Sequence, residues 1–137
     1  QKKISMNRPV HFEIQAQDPE RAIAFYTSVF GWKINKWPGL GWDYWVVMTA
    51  EKDSAEPGIN GGLLKSPAPQ PPEQCGTNAF VCTMQVDDYD ATHEKILAAG
   101  GKVAMPKFSL AGMAWQGYYL DTEGNTFGIH QADSKAQ

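Results

Sequence analysis

Cysteine is scarce in this chain, with only Cys75 and Cys82 among 137 residues. Two thiols cannot build the disulfide framework of a small secreted domain, which needs several cysteines at regular spacings. They read as reduced thiols of a cytoplasmic protein. A surplus of positive charge is also missing. Twelve Lys and Arg stand against fifteen Asp and Glu, for a formal net charge of −3. The basic residues are scattered, so no basic stripe offers itself to nucleic acid or to an anionic membrane. No apolar run approaches the roughly 18 residues that a membrane span requires. The opening segment Gln1–Met6 has no apolar stretch of signal-peptide type, and Met6 is a candidate natural start. Catalytic signatures are equally thin. Gly58-Ile59-Asn60-Gly61-Gly62 is not followed by Lys-Ser/Thr and is no phosphate loop. No serine or cysteine has the sequence surroundings of a nucleophile.

What the chain does have is a repeat. A shift of 70 residues lays Gln15 on Gln85, Asp18 on Asp88, Gly31 on Gly101 and Leu40 on Leu110, and it also pairs Trp45 with Trp115, Gly58 with Gly128 and Ile59 with Ile129. Each half opens on period-two alternation, with Val10, Phe12, Ile14 and Ala16 in the first and Phe80, Cys82, Met84 and Val86 in the second. That pattern marks a strand with one dry face. An aspartate follows in each half, Asp18 or Asp88, suited to cap a helix; Pro19 stands at the first helical position. Apolar residues then recur at helical spacing (Ala22, Phe25, Tyr26, Val29, Phe30; later Ile96, Leu97, Ala99) until glycine stops the helix at Gly31 and at Gly100-Gly101. Strand-like runs follow at Trp32–Trp37, Trp42–Thr49 and Ile59–Leu64, and again at Lys102–Lys107, Ala114–Leu120 and Thr126–Gln131. Asp121-Thr122-Glu123-Gly124 reads as a turn.

Each half is therefore β-α-β-β-β. The expected fold is α+β, two tandem βαβββ modules forming a curved mixed sheet that encloses a cup. Their spans are residues 8–64 and 78–132, joined by a Pro-rich linker over 65–77, the whole being one structural domain. Prolines this dense disfavour helix and interior strand, so the linker reads as stiff and exposed.

Strand alternation puts His11, Glu13 and Gln15 on one face of the first strand, with Phe12 and Ile14 on the other. The His11 face is the expected cup. A histidine beside a carboxylate can act as general acid and base, because imidazole titrates near neutrality and the carboxylate supports its charged form. Such a pair is also common as a plain hydrogen-bonded couple in a polar cleft. Tyr44, Met48, Gln116 and Tyr118 occupy alternate positions on later strands and are expected to line the cup, while Trp45 and Trp115 read as paired core residues. Aromatic walls with a few polar groups suit a planar or partly apolar small molecule. His130 is expected to face away from the cup, and His93 to lie at the surface or between helix and sheet. Ser109–Gly112 reads as a mobile rim.

Particular segments carry a family resemblance. They are Val10-His11-Phe12-Glu13-Ile14, Ala24-Phe25-Tyr26 through Val29-Phe30-Gly31-Trp32, Val86-Asp87-Asp88-Tyr89-Asp90-Ala91, Ala98-Ala99-Gly100-Gly101-Lys102-Val103, and Asp121-Thr122-Glu123-Gly124-Asn125-Thr126-Phe127-Gly128-Ile129. On these, from about residue 8 to 132, the sequence resembles the vicinal oxygen chelate superfamily, also called the glyoxalase, bleomycin-resistance and extradiol-dioxygenase group. The resemblance implies the paired-module fold. For members similar to glyoxalase I it also implies a divalent metal held by four side chains, whose places here are His11, Gly61, Val81 and Gln131. His11 is a good ligand and Gln131 a neutral carbonyl donor. Gly61 and Val81 offer none. A transition metal needs at least three suitable protein donors, so no cofactor is expected. Were a metal bound, His11, Glu13 and Gln131 would be its ligands. Gln131 is otherwise expected inside the cup, binding ligand with Gln15.

The leading expectation is thus a small-molecule-binding, glyoxalase-like protein without the usual metal, with lyase- or isomerase-like chemistry on His11 and Glu13. The alternatives are a non-catalytic module that sequesters an antibiotic or aromatic metabolite, and a metal-dependent lyase with an atypical site. A homodimer is the expected assembly, with the modules pairing either within one chain or by exchange between chains.

Overall fold

The computed structural model describes residues 6–69, 80–122 and 125–137. Most of the Pro-rich linker, with Cys75, and the Glu123-Gly124 half of the expected turn lie outside the described residues. The chain folds as β1 (Pro9–Ala16), α1 (Pro19–Phe30), β2 (Lys33–Lys36), β3 (Trp45–Met48), β4 (Asn60–Lys65), β5 (Val81–Gln85), α2 (Tyr89–Ala98), β6 (Lys102–Leu110), β7 (Ala114–Leu120) and β8 (Thr126–Ala132). This is the α+β class, with the βαβββ order present twice. Two compact units emerge, one of residues 11–80 and the other of residues 81–137 with 1–10.

In the 11–80 unit the strand order is β2-β3-β4-β1, with β1 parallel to β4 and the other pairs antiparallel. Asp18 caps α1 by accepting the Arg21 N–H at 3.1 Å, and Pro19 fills a position whose N–H would find no helical partner. Gly31 ends the helix at φ 74°, a left-handed conformation that costs a glycine little. Phe12, Ile14, Val47 and Leu63 are buried. No residue of α1 is buried, and Phe25, Val29 and Phe30 are exposed. The helix is held by rings instead: Tyr26 stacks on Trp32 at 5.2 Å and 5°, and Phe12 lies 5.9 Å from Trp32.

The 81–137 unit repeats the plan as β5-β8-β7-β6, with β5 parallel to β8. Asp88 caps α2 through the Ala91 N–H at 3.0 Å. Its core is Val86, Tyr89, Tyr119 and Ile129, with Ile96, Trp115 and Phe127 packed against it. β6 runs to Leu110, three residues past the expected end. Pro106, which has no N–H to give a ladder, sits in that strand where its register against β7 slips between Met105 and Phe108. Ser109 and Leu110 therefore belong to the strand, and only the turn at Gly112 remains of the expected rim. Trp45 and Trp115 are both half-buried and each carries a lysine over its ring: Lys36 at 5.8 Å and Lys107 at 4.6 Å. Among the described residues no helix is long and apolar enough to cross a membrane.

Candidate active site

Alternation along β1 places Phe12 and Ile14 on the apolar face and His11 and Glu13 on the other. Glu13 is buried at 8% exposure. His11 is half-buried and Gln15 exposed. The parallel register sets Glu13 opposite Gly62 of β4, and Gly62 in turn faces Val46 of β3. The missing side chain at 62 decides the geometry. A Cβ there would collide with the Tyr44 hydroxyl and ring, which are its nearest neighbours. Tyr44, at the entrance to β3, therefore reaches over β4 to the two β1 side chains. The neighbouring Gly61 gives way on the opposite face, where a Cβ would run into the Phe12 ring at 2.6 Å.

The Tyr44 hydroxyl donates to Glu13 Oε2 at 2.9 Å and lies 3.0 Å from His11 Nε2. Its one proton is committed to Glu13, so His11 Nε2 must be the donor of the second bond. The neutral imidazole is then the Nε2–H tautomer, with Nδ1 carrying the lone pair. His11 and Glu13 are 4.0 Å apart and meet through the phenol. Burial holds the His11 imidazole below its ordinary value, and the Glu13 carboxylate pulls it partway back. The result is an imidazole kept neutral near pH 7, backed by a carboxylate that favours its protonated form.

In the 81–137 unit, Gln116 is buried at 5% exposure, and both ends of its amide are engaged. Its Nε2 lies 3.3 Å from Thr83 Oγ1, and its Oε1 lies 2.8 Å from His130 Nδ1. Tyr118 is half-buried and stacks on Phe108 at 6.5 Å. The facing expected for Gln131 and His130 is reversed. Gln131 Oε1 accepts the Tyr89 N–H at 2.7 Å, closing the start of α2. His130 takes the Gln116 face. The antiparallel register explains this: Gln116 lies opposite His130, and Trp115 opposite Gln131. Residues directly opposite share a face. His93 packs between helix and sheet, its Nδ1 lying 2.8 Å from the Tyr119 hydroxyl, which donates to Tyr89 at 2.9 Å.

The expected site residues thus divide. His11, Glu13 and Tyr44 come together. Met48 shares the Tyr44 face by alternation along β3 and is half-buried. Gln116, Tyr118 and Gln131 belong to the other unit. The bridging role of Tyr44 was missed. The signal for it was Gly62, a side-chain gap in a strand beside a polar pair. The four positions that the family resemblance assigns to a metal do not fit one. Gly61 and Val81 supply no donor, and the Gln131 carbonyl is spent on the α2 backbone. Among the described residues no three His, Cys, Asp or Glu side chains gather at one point.

Two copies of one βαβββ unit, with polar side chains on the sheet face turned from the helix, define a family of small α+β proteins. The family model described as Glyoxalase/Bleomycin resistance protein/Dioxygenase superfamily matches residues 8–129. The chain belongs to that superfamily. Among curated relatives, the protein named "Putative glyoxylase CFP32", from Mycobacterium bovis and from Mycobacterium tuberculosis, is 30% identical over 129 residues, which cover 91% of this chain and 46% of the relative. The chain thus spans about half the length of these relatives. Similar solved structures include hypothetical protein BH1468 from Bacillus halodurans (TM-score 0.63, 14% identity, 96% of this chain and 98% of that one). A Streptomyces coelicolor methylmalonyl-CoA epimerase in complex with 2-nitronate-propionyl-CoA gives a TM-score of 0.62 at 17% identity, with 97% and 99% covered. At such identities the likeness shows the fold.

Proposed function

We propose that the chain binds a small molecule at the His11 face of its first unit and moves a proton there, as a metal-independent enzyme of the isomerase or lyase kind. The observation that carries this reading is the Tyr44 hydroxyl held between His11 Nε2 and Glu13 Oε2. Nδ1 of the neutral imidazole is the base. A proton taken from the ligand onto Nδ1 leaves an imidazolium whose Nε2–H points through Tyr44 to the Glu13 carboxylate. Glu13 is buried behind this network and positions the base without meeting the ligand. A half-buried base, a bridging hydroxyl and a buried acid divide the work as linked acid–base groups do elsewhere. The curated relative named a putative glyoxylase, and the fold likeness to an epimerase, support a reading of the lyase or isomerase kind.

The test is proton–deuterium exchange, followed by NMR on a panel of 2-oxo and 2-hydroxy carbonyl compounds in D2O with chelator-treated protein. The expected result is exchange that survives the chelator and falls about 100-fold or more in His11→Ala, the usual size of a lost acid–base group. Tyr44→Phe should lower it by a smaller factor. Exchange that disappears with the chelator and returns with metal would overturn the metal-independent reading. Saturable binding without exchange would favour sequestration, the second reading, which suits a site whose carboxylate lies out of the ligand's reach.

A further inference from the structure

The segment that delivers Tyr44 has a character of its own. Between β2 and β3 the chain leaves the sheet at Trp37 and returns at Tyr44, where the Trp37 N–H bonds the Tyr44 carbonyl at 2.7 Å. Just outside and inside that closure, Lys36 and Asp43 form an ion pair at 3.0 Å. Gly39 turns the loop at φ 105°, a conformation few side chains accept. The loop closed at its base by this backbone bond carries two tryptophans that are partly exposed, Trp37 at 40% and Trp42 at 47%. Trp45, one residue beyond the closure, is half-buried, with Lys36 over its ring. Indoles displayed on a braced loop offer flat apolar faces at little cost in ordering. Trp37 is bonded to the same residue whose hydroxyl joins His11 to Glu13, so the display and the polar network share one anchor.

Charge narrows the occupant. Asp43 is neutralised by Lys36, and Lys33 is paired with Glu51 at 2.8 Å. The Glu13 carboxylate is the charge lying beneath Tyr44, and it repels anions. Resting on the reading of the His11–Tyr44–Glu13 face as the ligand site, we infer that residues 37–44 are its recognition element, and that its ligand class is a planar aromatic molecule, neutral or cationic. Trp37 and Trp42 stack on the ring system, and the ligand's polar group meets Tyr44 and His11.

Calorimetric titration with 2-naphthol, 2-naphthoate and cyclohexanol tests this. The expected result is one 2-naphthol per chain, with 2-naphthoate and cyclohexanol each at least tenfold weaker. Trp37→Ala and Trp42→Ala should each weaken 2-naphthol about tenfold, and Trp42→Phe less than threefold, because a flat ring is kept. Glu13→Gln should narrow the gap between naphthol and naphthoate. Circular dichroism identifies any variant that fails to fold; Trp42→Phe, the mildest change, serves as the control. Unchanged affinity in the folded Trp37→Ala/Trp42→Ala double variant would overturn the inference, as would 2-naphthol failing to bind the wild type. Tryptophan-dependent binding without proton exchange would defeat the acid–base reading alone. Exchange with tryptophan-independent binding would defeat this inference alone.

Discussion

Replacing Gly62 by alanine puts a methyl group where the Tyr44 hydroxyl sits. The backbone at 62 is ordinary strand, so the whole effect comes from that collision. Tyr44 must swing away and release both Glu13 Oε2 and His11 Nε2. A hydrogen bond to a charged group contributes about 1.5–3 kcal/mol, and a buried partner left unsatisfied costs about as much. Glu13, at 8% exposure, has little access to replacement water. Alanine restricts the unfolded chain, which returns about 0.4–1 kcal/mol. The net expected loss is about 2 kcal/mol, or a fall in Tm of roughly 8 °C for a chain of this size. Urea denaturation of Gly62→Ala in two backgrounds isolates the cause. In Tyr44→Ala protein the three atoms nearest the methyl group are gone, so its cost should fall to about 0.5 kcal/mol or less, giving a coupling near 1.5 kcal/mol between two touching residues. Equal costs in both backgrounds would refute the claim that the glycine exists to admit Tyr44.

Gln131→Leu removes the acceptor of the Tyr89 N–H and should destabilise the protein by about 1 kcal/mol, as for loss of a helix N-cap; chemical denaturation measures it, and a neutral outcome would return Gln131 to candidacy as a ligand contact. Stability should also depend on His11. Its folded value is depressed by burial, so the unfolded chain binds this proton more readily, and the stabilising contribution is full above pH 6.5 and fades as pH falls through the lower folded value. Denaturation midpoints between pH 8 and pH 5, with His11→Gln as reference, should show the wild type losing more stability on the acid side.

The repeat made the fold legible because each half carries its own punctuation. Asp18 and Asp88 both cap helices, Gly31 ends the first, the two period-two runs become β1 and β5, and the strand-like runs at 114–120 and 126–131 become β7 and β8. The β2–β3 connection was hidden for a physical reason. Trp42 and Tyr44 are residues favoured in strands, yet the ladder between β2 and β3 begins only at Lys36 and Trp45. Beyond that pair, the glycine turn and the Trp37–Tyr44 bond lift the chain out of the sheet.

At the site, alternation along one strand correctly set His11 and Glu13 apart from Phe12. It could not say which face of β8 turns inward. Alternation fixes which residues share a face and leaves the choice of face to pairing with a neighbour. Placing Trp115 in the core already implied that Gln131, its partner in β7–β8, would lie on the same side. The reach of Tyr44 over Gly62 depends on three strands at once and has no signature in any one of them.

The most direct test of the central claim, that His11, Tyr44 and Glu13 form one proton-linked network, is NMR titration of the His11 imidazole nitrogens. The account expects the Nε2–H tautomer, a midpoint below 6.5, and a further fall in Glu13→Gln, where the carboxylate no longer offsets burial. An ordinary midpoint that ignores Glu13→Gln, or a neutral ring protonated at Nδ1, would contradict it.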